Sequence, residues 1–199
     1  IALLRVGDQK YWNGSGWVVS ETWNGVTGIT SWSYTLASSA LTDGFTYQVF
    51  SKATDNVDNV QTIYGEDSFT YDTTEPNTVF SIPDDFYNNA GWTSTDHIQG
   101  TAGDSTSGIP AVHVLIQRGS DSLYYDPDGW SSTEAWQAAA GTENWSYAFA
   151  YEELHDGVSY NVWVRATDGA GNLETSFAMD SFVYDITPLA SAVLIDREF

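Results

Sequence analysis

The sequence predicts an all-β fold of tandem β-sandwiches, and three observations predict it. Most of one domain is written twice: Trp17, Trp23, Trp32, Asp43, Gly44, Tyr47, Asp55, Asn59 and Phe69 recur as Trp130, Trp136, Trp145, Asp156, Gly157, Tyr160, Asp168, Asn172 and Phe182, at a constant offset of 113 residues (130 − 17) with no gap. A unit of that length is too long for a helical solenoid repeat and suits one compact domain in a string. Short runs rich in β-branched and aromatic residues alternate with period 2, and clusters of Gly, Pro, Asp and Asn separate them.

In chain order, the first copy opens incomplete. Ile1 aligns with Val114, so the counterpart of residues 76–113 is missing, and residues 1–72 read as a sandwich that lacks its opening strands. Residues 73–185 read as a complete sandwich of about seven short strands, the spacing typical of that architecture. Its strands include VHVLIQR (112–118), NWSYAFA (144–150), YNVWVRA (160–166) and DSFVYD (180–185). STSGIP, DPDGW and DGAGN supply the positive φ values and side-chain turns that reverse the chain between strands. Only the stretch Glu134 to Ala140 has the composition of a helical turn. Pro188 to Phe199 match Pro76 to Phe86 with a one-residue gap, and residues 186–199 read either as the opening strand of a further repeat or as a donor strand for a neighbouring molecule. Covalent continuity with further repeats is the more economical of the two.

Composition narrows the function. Against 27 acidic residues stand 6 basic ones, a net charge of −21. That argues against binding nucleic acid or an anionic membrane, which need clustered cations. With no cysteine, neither disulfides nor thiolate metal sites contribute. No run approaches the ~20 apolar residues of a membrane span, and the start has no signal-peptide pattern. A domain of ~100 residues buries enough core without staples.

One local pattern refines the fold. Leu154, Asp156, Gly157 and Tyr160, followed by VWVRAT, recur as Leu41, Asp43, Gly44 and Tyr47, followed by QVFSKAT. This resembles the tyrosine corner of immunoglobulin and fibronectin type III sandwiches, where a Tyr hydroxyl returns to the backbone of the preceding corner. Tyr47, Tyr160, Asp43, Asp156, Gly44 and Gly157 are therefore expected to be structural. Beyond the corner, YWNGSGW with YYDPDGW, SWSY with NWSY, KATDNVDN with RATDGAGN, and SFTYDTTEP with SFVYDITP resemble bacterial immunoglobulin-like tandem repeats of large cell-surface and adhesin-type proteins. The resemblance covers essentially the whole chain. It implies fold more than function, since this architecture serves as spacer, adhesive tip and enzyme appendage alike.

Two groups of residues raise the question of a site. Most of the nine Trp recur between copies or exchange with Tyr and Phe, as packing positions do. Trp92, in the loop NNAGW, has no counterpart and is the candidate exposed platform for a ligand. If sandwiches stack head to tail, Asp43 and Asp72 from the lower end of one approach Asp104, Asp168 and Asn172 at the upper end of the next. Hard oxygen ligands converging on the short linker DTTEP suit calcium, which takes six to eight of them. Asp126, Asp128 and Gly129 open like a calcium loop but lack the acidic twelfth position. Catalysis is not expected: His97, His113 and His155 lie apart with no zinc spacing, and no nucleophile elbow or phosphate loop occurs.

These observations predict a non-catalytic structural repeat of an extracellular or cell-surface stalk, filament or adhesin shaft. Its expected partners are neighbouring repeats, copies of itself head to tail, and a surface glycan or protein receptor, with no nucleic acid and no membrane insertion. The alternative is a carbohydrate-binding module that targets a secreted enzyme.

Overall fold

A computed structural model describes residues 1–81, 86–88, 91–92 and 98–189. The described residues are all-β, arranged in several sheets, with two short 3-10 turns at Ser38–Ala40 and Tyr151–Glu153. No helix among them is long and apolar enough to cross a membrane. The chain divides into two compact units: unit 1 comprises Ile1–Thr74 with Ser105–Ser107 and Ala170–Asn172, and unit 2 comprises Glu75–Asp104, Gly108–Gly169 and Leu173–Phe199.

Unit 1 holds β1 (Ala2–Arg5), β2 (Lys10–Trp12), β3 (Trp17–Val18), β4 (Thr27–Gly28), β5 (Trp32–Ser33), β6 (Phe45–Ser51) and β7 (Gly65–Tyr71). Five of these form one antiparallel sheet in the order β3-β2-β1-β6-β7, and β4 pairs β5 in a separate two-stranded sheet.

Unit 2 holds β8 (Asn77–Phe80), β9 (Phe86–Tyr87), β10 (Ile98–Gly103), β11 (Ala111–Arg118), β12 (Tyr124–Asp126), β13 (Gly129–Ser131), β14 (Gln137–Ala138), β15 (Ala140–Gly141), β16 (Asn144–Tyr147), β17 (Val158–Thr167) and β18 (Ala178–Tyr184). One sheet runs β13-β12-β11-β17-β18-β9 with β14 also on β11, and the other runs β15-β16-β10-β8. Among the described residues all pairs are antiparallel except β9 on β18. Alternation explains the core: along β17 the residues Tyr160, Val162, Val164 and Ala166 are buried while their neighbours are not, as a strand with one covered face requires. They meet Ile98 and Trp145 from the other sheet in a single apolar cluster.

The repeat is visible bond by bond. Leu3 faces Val49 and Leu4 faces Gln48 in unit 1, as Ile116 faces Val162 and Gln117 faces Asn161 in unit 2. The hairpin pair Trp12 with Trp17 matches Tyr125 with Trp130, and Gly28 with Trp32 matches Gly141 with Trp145. Even Arg5 over the Trp17 ring has its counterpart in Arg118 over Trp130.

Two sequence expectations need correction or limits. The stretch Glu134 to Ala140 is extended, not helical: Gln137–Ala138 pairs with β11 and Ala140 with β16. Seven residues nucleate a helix poorly, and free strand edges on both sides offer a better home for the backbone polar groups. The tail from residue 190, together with Asp84, Asp85 and His97, lies outside the described residues.

Candidate functional site

The Asp-Gly corners are built alike in both units. The Tyr160 hydroxyl accepts from the His155 N–H at 2.9 Å and donates to the Glu153 carbonyl at 3.2 Å, while the Tyr47 hydroxyl accepts from the Thr42 N–H at 2.8 Å. Gly157 (φ 71°) and Gly44 (φ 76°) take the left-handed conformation after their Asp, which a residue without Cβ adopts cheaply. The Asp156 carboxylate accepts from the Ile186 N–H at 2.8 Å and the Thr187 hydroxyl at 2.7 Å. Asp43 does the same with the Thr73 N–H at 2.6 Å and the Thr74 hydroxyl at 2.7 Å. These donors favour the ionised form, so both carboxyls titrate below the usual range: for Asp156 the Ile186 N–H leads, and for Asp43 the Thr74 hydroxyl leads. Both oxygens of Asp43 are engaged in its corner, as those of Asp156 are.

The remaining acidic candidates fall in two places. In unit 1, Asp72 is buried. It accepts from the Thr74 N–H at 3.0 Å and from the Ser107 hydroxyl at 2.5 Å, and its backbone carbonyl accepts from the Asn172 amide at 3.2 Å. That amide also donates to the Thr74 carbonyl at 3.3 Å. In unit 2, Asp168 is buried at 2 % exposure and Asp104 is partly buried. Each brings a carboxylate oxygen to within 4.8 Å of the other's, a set of hard oxygens of the kind calcium takes. By contrast Asp55, the counterpart of Asp168 in unit 1, is exposed and wraps its own turn, accepting from Val57 and from the backbone and side chain of Asn59.

Three further sequence candidates resolve as structure. Trp92 is buried at 4 % exposure, so the expectation of an exposed platform is wrong: its indole stacks on Phe182 with centroids 4.6 Å apart, and its Nε1 donates to the Phe149 carbonyl at 3.0 Å. Asp126 and Asp128 form the turn of the β12–β13 hairpin, where the Asp126 carboxylate accepts from the Asp128 N–H at 3.0 Å. His113 lies on β11 opposite Arg165, and burial first, then the charge of Arg165, lowers its pKa.

Sequence reasoning missed Glu174. Its carboxylate is buried at 3 % exposure and accepts from the Thr78 N–H at 2.9 Å, the Thr78 hydroxyl at 3.1 Å and the Ala166 N–H at 3.0 Å, tying β8 to β17. The signal was available in part, because Gln61 holds the same repeat position and accepts from the Ala53 N–H at 3.1 Å.

No family model matches the sequence, and no curated protein matches it. Among solved structures, a chain of a 1.5-MDa bacterial ice-binding adhesin, from work on host cell surface retention, is 19 % identical over 72 % of this chain and 42 % of its own, with a TM-score of 0.31. The present chain thus spans less than half of that one, and a superposition so loose carries no argument about fold or function.

Proposed function

We propose that this chain is a non-catalytic structural repeat of an extracellular or cell-surface stalk, filament or adhesin shaft, made of tandem immunoglobulin-like sandwiches. The observation that carries the reading is the recurrence of the same hydrogen-bonded register, corner and cation-over-indole contact at one offset along the chain. A unit repeated with its supporting details intact suits a part used for length. The net charge of −21 keeps a long exposed surface soluble and away from anionic partners. Partners on this reading are neighbouring repeats or copies of the chain head to tail, and a glycan or protein receptor at the surface. Protease shaving of intact source cells tests the location: fragments of this sequence are expected in the shaved fraction, and their retention inside unbroken cells overturns the proposal.

Calcium is the proposed cofactor, and Asp104 and Asp168 of unit 2 are its proposed ligands. Support comes from the burial of Asp168 and from the close approach of its carboxylate to that of Asp104, hard oxygen donors of the kind calcium takes. Calorimetric titration of the chain with calcium is expected to show binding that Asp104→Ala and Asp168→Ala each weaken by at least about tenfold; unchanged binding in both variants sinks the idea. The alternative of a carbohydrate-binding module rested on an exposed Trp92, and the burial of that indole leaves it without a supporting observation.

A further inference from the structure

We infer that the outer face of the five-stranded sheet in unit 1 carries a binding pocket for a quaternary ammonium cation, walled by Tyr11, Trp23 and Tyr64, floored by Ala2 and Phe50, and charged at its rim by Glu21. The inference goes beyond the shaft reading and does not rest on it.

The floor comes from strand pairing. Ala2 on β1 and Phe50 on β6 stand directly opposite each other, so their side chains share a face of the sheet. That face is not the one shown by Tyr47 and Val49, because successive residues of a strand alternate. Unit 2 divides in the same way: Tyr160 and Val162 join Ile98 and Trp145 of the second sheet in the core, and Trp163 lies on the opposite face. The floor of the unit 1 pocket therefore stands on the side of its sheet that, in unit 2, β10 and β16 leave uncovered. Above it, Trp23 and Tyr64 meet edge to face, with centroids 5.0 Å apart and planes at 70°, and Tyr11 completes the wall. The space enclosed is about 150 Å³, room for a small ligand group and not for a strand or helix. Glu21 also lines it, and its carboxylate accepts from the Trp23 Nε1 at 2.6 Å.

The repeat isolates what opens this space. Its walls recur in unit 2, where Trp136 meets Phe177 at 5.3 Å and 61°, and Tyr124 and Glu134 hold the positions of Tyr11 and Glu21. The floor differs. Leu115 and Trp163, paired as Ala2 and Phe50 are, put larger side chains at both floor positions, and Leu115 is itself buried.

Chemistry selects the occupant. Aromatic rings on several sides and one carboxylate suit a cation whose charge is spread over methyl groups, since the ring faces attract it and it is weakly hydrated. Trp23 already attracts a cation of its own chain: the Lys52 Nζ lies 3.9 Å from its ring centroid, as the Arg165 guanidinium lies 4.0 Å from that of Trp136. Lys52 does not line the pocket, and the Glu21 carboxylate at the same indole offsets its charge. The net charge of −21 concentrates cations at the surface and repels anions. A sugar would need several convergent hydrogen-bonding groups; beside the tyrosine hydroxyls the side chains lining this space offer one carboxylate, already bonded to an indole.

The test titrates choline against the full chain and follows the upfield shift that aromatic rings impose on its N-methyl proton line. The uncharged tert-butyl isostere of choline and glucose are titrated beside it. Choline is expected to bind at least about tenfold more tightly than the isostere. Ala2→Leu with Phe50→Trp installs the floor of unit 2 and is expected to weaken choline by at least about tenfold. Glu21→Gln changes an exposed side chain, leaves folding intact and is expected to weaken it about threefold. Absence of choline binding, equal binding of the isostere, or unchanged binding in both variants overturns the inference, as does glucose binding in place of choline. Sedimentation with phosphatidylcholine vesicles distinguishes the sources of the cation. Co-sedimentation that choline reverses makes it a lipid headgroup, choline binding without co-sedimentation makes it a free solute, and either result sustains the pocket.

Discussion

The Tyr160 hydroxyl and the His155 N–H are joined by a 2.9 Å hydrogen bond across the corner that starts β17. Tyr160 is fully buried, stacked on Phe182 with centroids 5.3 Å apart. Tyr160→Phe keeps the ring and removes the acceptor, which strands the His155 N–H in a part-buried corner. The expected loss is about 1–3 kcal/mol of unfolding free energy, read from denaturant melts. Tyr47→Phe acts on the same bond in unit 1, and its effect is expected to be smaller because Phe69 beside it is already open to solvent.

Two tyrosines of unit 2 set an alkaline limit. Burial, the leading cause, raises the pKa of Tyr160 above 10.0 and pushes that of Tyr147 up to about 12. A phenol whose folded pKa is raised contributes stability that is present below the unfolded value and lost as pH rises through the folded one. Unit 2 is therefore expected to weaken from about pH 10 upward, with Tyr147 ionising only near pH 12. Ultraviolet absorbance titration beside circular dichroism checks this; tyrosines that all ionise together near pH 10 without loss of structure contradict it.

At the acid end the sign reverses. Asp156 is held below its ordinary 3.8, first by the Ile186 N–H and then by the Thr187 hydroxyl. A depressed carboxyl contributes stability that is present above the unfolded pKa and lost as pH falls through the folded one. Asp156→Asn is expected to lower the unfolding midpoint at neutral pH and to match the parent chain well below pH 3.8. A gap that persists at low pH points to geometry instead of charge.

Legibility in the sequence tracked the range of the interaction. The corner was readable because Asp156, Gly157 and Tyr160 lie within five residues and recur; the same is true of the strands, whose alternation is local. Trp92 was misread because its burial depends on Phe182 and on the Phe149 carbonyl, 57 residues away, and no second copy of that loop exists to compare. The partners of Asp43 were hidden for a different reason. The two donors at Thr73 and Thr74 that engage its carboxylate come from the chain 30 and 31 residues on. Glu134 to Ala140 shows composition losing to context, since helix-forming residues next to unpaired edges become strands.

The burial of Trp92 can be tested by what its removal costs. Trp92→Ala deletes a stacked indole and its hydrogen bond to Phe149, and is expected to destabilise unit 2 by about 3–5 kcal/mol, with no change in retention on glycan arrays. A stable variant that loses glycan retention would instead restore the platform and with it the carbohydrate-binding alternative.

Glu174 and Gln61 supply a comparison that the repeat has already made. Glu174 takes three donors from two strands, so Glu174→Ala leaves the buried Thr78 and Ala166 N–H groups unpaired at once. The expected cost is about 3–5 kcal/mol. Glu174→Gln keeps one oxygen but turns an amide donor towards these donors, and about 1–3 kcal/mol is expected. In unit 1 the Gln61 amide escapes that conflict by donating to the Ile63 carbonyl at 2.5 Å while its oxygen takes the Ala53 N–H. That arrangement is open to Gln61 because no strand of the β8 type lies against it among the described residues. Gln61→Glu should accordingly be near neutral. Denaturant melts of the parent chain beside Glu174→Ala, Glu174→Gln and Gln61→Glu measure these costs; a loss in Gln61→Glu as large as that in Glu174→Ala would mean that the two positions are held alike.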